Sequence, residues 1–138
     1  RLYPLDFTAK SGQKVRISPL ICYEDIIPRF SHESLALSPN LLVNITNDAW
    51  FRKSAATYQH FSMAALRAVE NRVPIVRAAN TGISGAVDIT GKLQVDVPLA
   101  EGIHFWGGVP EVQAAWVTES VLDGFLQSDV TVGGPKVG

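Results

Sequence analysis

Short apolar runs alternate with helical stretches along the chain, and this alternation constrains the fold more than any other feature. KVRISPLIC (Lys14 to Cys22) and NLLVNIT (Asn40 to Thr46) have the length and the β-branched content of buried strands. Residues 55–71 have a helical period, and VPIVRAA, ISGAVDI and KLQVDV follow as further strands, the last two joined at Thr90-Gly91. This order predicts an α/β domain with one sheet, parallel in part.

The segment between the first two strands, EDIIPRFSHESLAL, predicts a helix with Pro28 in its first turn and Asp25 as a candidate cap. In the second helix, Tyr58, Phe61, Ala65 and Ala68 share one predicted face, and apolar residues cover so wide an arc that we expect packing on more than one side.

The two ends of the chain show no such pattern. The opening RLYPLDF looks irregular and starts without a methionine, so we expect a cut end of a larger protein. After Ala100 no clean period persists, although residues 110–126 could form one helix. We therefore divide the chain into residues 1–101, an α/β domain, and residues 102–138, an irregular C-terminal tail.

The composition is that of a soluble globular domain, with 46% hydrophobic residues, 18% charged residues and a net charge of −1. This charge balance argues against a nucleic-acid partner, which favours a basic excess. No apolar stretch reaches the roughly 20 residues of a membrane helix, so we expect this chain to be soluble by itself. The single cysteine excludes an intramolecular disulfide.

That cysteine, Cys22, lies between the first strand and the first helix, and two interpretations compete. A lone cysteine after a strand is commonly a small buried hydrophobe. A cysteine at a helix N-terminus can instead be a nucleophile, because aligned N–H dipoles favour the thiolate. The amide of Tyr23 would then serve as an oxyanion donor, and Glu24 would organise a base, hold the turn or simply lie at the surface.

Two polar loops follow two other strands. TNDAWF brings Asn47, Asp48, Trp50 and Phe51 after the second strand, and AANTGIS brings Asn80 after the third. If the strands are parallel, these loops and Cys22 meet at one edge of the sheet, where α/β proteins bind ligands. Asn, Asp and Gly are also ordinary turn formers, so each loop alone is weak evidence of a site.

The histidines add little to these candidates. His60 is a conceivable base for Cys22, but a histidine on a helix with charged neighbours is more often structural. His32 and His104 have no spacing that indicates a metal, and no nucleotide loop is present. We expect no metal and no cofactor.

Three motifs together carry a resemblance: ICYED, then LLVNITNDAWF, then YQHFSMAALRAVENRVPIVRAANTGISGAVDITGKL. In this order and wording they resemble the carbon–nitrogen hydrolase (nitrilase) superfamily, and within it the N-acyltransferases that add the third acyl chain to bacterial lipoproteins. The resemblance covers about Val15 to Val97. It implies a four-layer αββα sandwich, of which this chain would form about the C-terminal half, and a catalytic set of Glu, Lys and Cys with a second Glu nearby.

Carried over to this sequence, the resemblance makes Cys22 the nucleophile, with Tyr23 and Glu24 also needed for activity. The implied substrate-binding residues are Asn47, Asp48, Trp50, Phe51 and Asn80. The implied reaction moves an acyl chain from a phospholipid donor to Cys22, and then to the N-terminal amine of a diacylglyceryl lipoprotein acceptor. The implied location of the whole enzyme is the bacterial inner membrane, with this domain on the periplasmic side.

The sequence departs from that pattern before Cys22. The family's base, lysine and second glutamate lie upstream of the cysteine strand, whereas only Asp6, Lys10 and Lys14 are found there, outside the family's motif context. The tail also lacks the family's pattern. We therefore expect a fragment that is inactive alone and prone to self-association through an uncovered sheet face. A soluble amidase of the same superfamily and a non-catalytic binding or structural half-domain remain the alternatives.

Overall fold

The structure, a computed structural model, describes residues 3–9, 12–52 and 54–97. The strands are β1 (Leu5–Thr8), β2 (Lys14–Ile21), β3 (Leu41–Thr46), β4 (Ile75–Ala79), β5 (Ser84–Val87) and β6 (Leu93–Val97). The helices are α1 (Pro28–Ser34) and α2 (Ala55–Asn71), with short 3-10 turns at Cys22–Asp25, Leu35–Leu37 and Ala49–Phe51. The predicted tail, residues 102–138, lies outside the described residues.

The strands form one six-stranded sheet in the order β1-β2-β3-β4-β5-β6. β2, β3 and β4 are mutually parallel, and the β1–β2, β4–β5 and β5–β6 pairs are antiparallel. This confirms the predicted α/β fold with a partly parallel sheet. It also confirms that the carboxyl ends of β2, β3 and β4 meet at one edge, since Ile21 pairs with Ile45 and Thr46 with Ala79.

Two local predictions were wrong. The opening segment is not irregular, because Leu5–Thr8 pairs with β2 as an edge strand and Asp6 bonds Arg16 across the pair. The helix predicted after Cys22 is split into a 3-10 turn and α1, which begins with Pro28 after Ile27. Asp25 does not cap α1, because its buried carboxylate is used elsewhere in the fold.

The helix α2 packs on one face of the sheet through small residues. Ala64 and Ala68 contact a core formed by Leu20, Leu42, Val73, Ile75 and Val87. Of the predicted face, Phe61, Ala65 and Ala68 pack on this core, whereas Tyr58 is exposed. Met63 and Leu66, on another side of the helix, are exposed as well. Because alanine side chains are small, α2 lies close to the sheet. His60, on the same buried face of the helix, is therefore brought close to the sheet as well.

The opposite face of the sheet is apolar in every described central strand. Val15, Leu41, Val43, Val76 and Ala86 are buried there, whereas Ile21 and Ile45, which are neighbours on β2 and β3, are 55% and 41% exposed. An exposed apolar pair at a sheet edge fits association with another surface. Self-association of the chain stays a prediction.

The β5–β6 hairpin is built around the carboxylate of Asp88. Its Oδ1 accepts hydrogen bonds from the Thr90 amide (2.8 Å), the Thr90 hydroxyl (2.6 Å) and the Lys92 amide (3.1 Å), while Gly91 supplies a positive φ of 84°. Burial raises the pKa of Asp88, but the hydrogen bonds from Thr90, Lys92 and Gln94 outweigh it and hold that pKa below its ordinary value.

We predict that Asp88→Ala lowers the free energy of unfolding by about 1.5–3 kcal/mol at pH 7, because hydrogen bonds to a charged acceptor are lost. Since the pKa of Asp88 is lower in the folded state, its contribution is full above the ordinary value of 3.8 and is lost as the pH falls through the folded value. Urea unfolding at pH 7 and near pH 3 measures both effects. The control is Asp6→Ala, an exposed carboxylate, and a loss at Asp88 no larger than at Asp6 would contradict the prediction.

Candidate active site

Cys22 occupies a strained turn directly after β2. Its φ is +53°, in the left-handed region that non-glycine residues rarely adopt, and its side chain is partly exposed. This conformation costs roughly 1–2 kcal/mol for an L-residue. Strain of this kind persists only where the surroundings enforce it, and it concentrates at functional sites.

Two polar side chains enforce the turn. Glu24 accepts a hydrogen bond from the Ile21 amide at 2.7 Å. Of the roles that the sequence allows for Glu24, this is the one that holds the turn. Asn44, fully buried on β3, donates from its amide nitrogen to the carbonyl oxygens of Leu20 (3.1 Å) and Cys22 (3.0 Å). The backbone is therefore held on both sides of the cysteine.

Beneath the turn lies a closed ring of four buried charged or titratable side chains: Asp25, Asp48, His60 and Arg77. His60 joins the two carboxylates on one side, with Nε2 at 2.9 Å from Asp25 and Nδ1 at 2.9 Å from Asp48. Arg77 joins them on the other side, with Nη1 at 2.5 Å from Asp25 and Nη2 at 2.7 Å from Asp48. We call these four residues the buried ring.

The ring is tied to the turn that carries Cys22. Nη1 of Arg77 also donates to Oδ1 of Asn44 at 3.1 Å, which turns the amide nitrogen of Asn44 toward the Cys22 carbonyl. Asp25 is the last residue of the 3-10 turn that begins at Cys22. Asn44 and Arg77 are direct neighbours in the β3–β4 register, so the sheet itself brings them together.

Burial raises the pKa of the Asp25 carboxyl above its ordinary value, even though Arg77 and His60 both favour the charged form. A carboxylate taken out of water is destabilised unless charges and hydrogen bonds replace its hydration. Asp25 depends on the ring for that replacement, and the ring depends on Asp25 to neutralise Arg77.

The structure brings five of the predicted site residues together: Cys22, Tyr23, Glu24, Asp48 and Phe51. Tyr23 stacks on His60 at 5.1 Å between ring centroids, and Phe51 meets both rings edge to face at 6.1 and 5.8 Å. Trp50 is 80% exposed on the same loop.

The polar members of the loops have local roles in the structure. Asn47 accepts a hydrogen bond from the Ala49 amide at 3.0 Å, which shapes the TNDAWF loop. The backbone N–H of Asn80 donates to the Thr46 carbonyl oxygen at 3.3 Å and so ties the AANTGIS loop to the TNDAWF loop. Asp48 is buried with both oxygens bonded, so it supports the loop from below. Substrate contact by any of these residues stays a prediction.

His60 is not placed as a base for Cys22. Both of its ring nitrogens are bonded to carboxylates, which leaves neither free to accept a proton from a thiol. Among residues 3–9, 12–52 and 54–97, no side chain hydrogen-bonds the Cys22 sulfur. The described residues therefore present a positioned thiol without its own base.

Sequence reasoning missed Asp25, Asn44 and Arg77 as parts of this arrangement. One signal was available, because an arginine at the centre of the apolar strand VPIVRAA cannot be buried without carboxylate partners. The identity of those partners could not be read from the sequence, since Asp25 and Asp48 are 52 and 29 residues away from Arg77.

The sequence and the fold are similar to those of known proteins. The carbon-nitrogen hydrolase family model matches residues 4–123. The chain belongs to the carbon–nitrogen hydrolase family. The match extends past residue 101, where we placed the end of the domain, and that boundary stays a prediction.

The apolipoprotein N-acyltransferase of Geobacter metallireducens is 55% identical over 86 residues, covering 62% of this chain and 16% of that protein. The enzyme of the same name from Rickettsia typhi is 42% identical over 97 residues, covering 70% and 19%. The chain thus spans under a fifth of these relatives. These matches confirm the resemblance seen in the sequence.

Among solved structures, a mutant of the Nesterenkonia AN1 amidase from the nitrilase superfamily superposes with a TM-score of 0.54 at 19% identity, covering 72% of this chain and 38% of the amidase. At this identity the likeness concerns the fold, which confirms the nitrilase-type architecture. Within the described part of the chain, no helix has the length and apolarity needed to cross a membrane.

We predict that Arg77→Met lowers the free energy of unfolding by about 3–5 kcal/mol, because two buried carboxylates lose their guanidinium partner. Arg67→Met is the matched control. Arg67 is also buried, but its Nε and Nη1 have no partner among the described residues and only Nη2 reaches Glu70, so we expect its replacement to be neutral or stabilising. Chemical denaturation of both variants measures the difference, and equal losses would refute the prediction.

Gly82 lies against the ring. A Cβ atom at this position would fall 2.2 Å from Oδ2 of Asp48, which cannot move away because Arg77 and His60 hold it. We predict a loss of about 3 kcal/mol for Gly82→Ala from this overpacking.

The control for Gly82→Ala is Gly12→Ala, where φ is +85° but nothing lies within 4 Å of the new Cβ, so only the backbone cost of roughly 1–2 kcal/mol applies. Thermal or urea unfolding compares the two variants. A smaller loss at Gly82 than at Gly12 would show that the ring yields to the added methyl group.

Proposed function

We propose that this chain carries the nucleophile of a lipoprotein N-acyltransferase, with Cys22 as the acyl-accepting residue. The observation that carries this proposal is the strained, partly exposed Cys22 at the sheet edge where the Tyr23 and TNDAWF side chains converge. The relatives named apolipoprotein N-acyltransferase, at up to 55% identity, support this substrate class.

The proposed reaction has two steps. The Cys22 thiolate attacks the ester carbonyl of a phospholipid acyl chain, the C–S bond forms, and the lysophospholipid leaves with the proton taken from the thiol. The N-terminal amine of a diacylglyceryl lipoprotein then attacks the thioester, forming an amide and returning the thiol. A thioester suits this task because it stores the acyl group and opens readily to an amine.

The exposed aromatic and apolar side chains around the turn suit an acyl donor. Ile21, Tyr23 and Trp50 are 55%, 46% and 80% exposed around Cys22, and such surface favours contact with hydrocarbon over a small polar amide. We propose that Trp50 and Phe51 border the acyl chain and that Asn47 and Asn80 shape the loops beside it. For the whole enzyme, we propose a place in the bacterial inner membrane with this domain on the periplasmic side.

We further propose that the chain is inactive by itself. The described residues hold no group that bonds the Cys22 sulfur, and both His60 nitrogens are occupied, so the general base and the lysine implied by the family must come from other parts of a complete site. Cys22 would then be held in position, but no group in the described part of the chain would remove the proton from its thiol.

The test transplants the chain's own residues into a complete enzyme. Residues 15–97 replace the matching segment of the Geobacter metallireducens apolipoprotein N-acyltransferase, and acyl transfer from phospholipid to a lipopeptide amine is measured beside the isolated chain. We expect the chimera to transfer acyl chains, its Cys22→Ala variant to lose transfer, and intact-mass measurement to show the thioester on Cys22. The isolated chain should show no acylation above its own Cys22→Ala control.

Other outcomes separate the alternatives. A folded chimera that hydrolyses short amides but leaves phospholipid untouched would favour an amidase of the same family. A folded chimera without either activity would favour a binding or structural role. Turnover by the isolated chain above its Cys22→Ala control would overturn the proposed inactivity.

A further inference from the structure

The contacts of His60 require more hydrogens than a neutral imidazole has. Each ring nitrogen lies 2.9 Å from a carboxylate oxygen, Nε2 from Asp25 and Nδ1 from Asp48. A neutral ring carries one N–H, so one of these contacts would set a nitrogen lone pair against carboxylate lone pairs. An imidazolium has two N–H groups and makes both contacts hydrogen bonds.

The charge of the buried ring leads to the same conclusion. Two carboxylates and one guanidinium leave a net charge of −1 among side chains that are at most 1% exposed, whereas an imidazolium brings the sum to zero. An uncompensated buried charge is strongly unfavourable. The aromatic side chains of Tyr23 and Phe51 pack on His60 and add no compensating charge. Arg67, the other basic residue of α2, pairs with Glu70 instead.

A proton on Asp25 beside a neutral imidazole would give the same total charge. The contact between Arg77 and Oδ2 of Asp25 argues against it, because a guanidinium hydrogen-bonded to a carboxyl oxygen favours the ionised carboxylate. Asp48 is bonded by Arg77 in the same way at 2.7 Å. The proton is therefore assigned to His60.

We propose that His60 is an imidazolium at neutral pH. Its charge makes the buried ring of four side chains neutral overall, and that buried ring positions the Cys22 turn. His60 is in this sense a positioning residue, which acts on the thiol through Asp25 and Asn44 without touching a substrate. The charge state stands independently of any reaction. The consequence for catalysis rests on the proposed function, since it requires Cys22 to be the nucleophile.

The coupling between ring and turn follows from the contacts. Without the proton on His60, Asp25 and Asp48 repel each other and only Arg77 holds them together. Arg77 also orients Asn44, whose amide holds the Cys22 carbonyl. Loosening the ring therefore frees the 3-10 turn Cys22–Asp25, and Cys22 can leave its left-handed conformation.

The first test reads the proton directly. In the isotope-labelled full chain, ¹⁵N–¹H correlation spectra show whether both His60 ring nitrogens carry hydrogens at pH 7. His32, an exposed histidine on α1, is the internal reference. Two protonated nitrogens at His60 are expected. One unprotonated nitrogen at pH 7 would overturn the proposal without the need for any variant.

The second test reads the position of the thiol. Because the chain has a single cysteine, the rate of alkylation by iodoacetamide reports Cys22 alone. We expect His60→Gln to alkylate about tenfold faster than the wild type at equal thiolate fraction, a change on the scale of releasing one left-handed residue. His32→Gln, the matched control, should alkylate at the wild-type rate.

The pH profile separates positioning from a general loss of structure. In the wild type, alkylation should show the thiol's own titration and a further rise where His60 loses its proton in the NMR titration, with the circular dichroism spectrum unchanged. His60→Gln should lack that further rise. Equal alkylation rates in folded wild type and His60→Gln, or a wild-type profile with no feature at the His60 titration, would overturn the positioning role. These readouts need no acyl transfer, so failure of the chimera would leave them intact, and their failure would leave the proposed chemistry of Cys22 untouched.

Discussion

The buried ring of Asp25, Asp48, His60 and Arg77 is the interaction on which the arrangement of the site depends. Its members come from the turn after β2, the loop after β3, the helix α2 and the strand β4. Each of the four ion pairs in the buried ring connects two of these elements. Among the described residues, no other ion pair connects the same two elements. Because the members are buried, removal of one leaves the charges of the others without compensation, so the four elements are held as a unit.

This arrangement explains how the strained Cys22 turn is held in place beside the TNDAWF loop. Cys22 is held in the left-handed region by Asn44 and Glu24, and Asn44 is itself oriented by Arg77 of the ring. The aromatic rings of Tyr23 and Phe51 cover the imidazole from the side of the site. The charged side chains thus lie below the turn, and a thiol and apolar surface lie above it, which suits the acyl transfer that we propose.

Much of the fold could be predicted because its determinants are local. The helix α2 begins and ends at the predicted residues, Ala55 and Asn71, and five strands, β2 to β6, lie within the runs read from the sequence. The edge strand Leu5–Thr8 could not be read, because its pattern is short and its structure comes from pairing with β2. The exposure of Tyr58 could not be read either, because the helical period places it on the same face of α2 as Phe61 and Ala68.

The sequence by itself determined the family, the α/β order of elements and the meeting of two polar loops with the Cys22 turn, because these follow from periodicity and from motifs of adjacent residues. Only the tertiary structure decided what Asp25, His60 and Arg77 do. Asp25 reads locally as a helix cap and His60 as a structural or catalytic histidine whose partners are unknown, yet the two are buried together with an arginine from the centre of the sheet. The physical reason is that the partner of a buried charge is chosen by where the folded chain excludes water, and residues distant in sequence meet there.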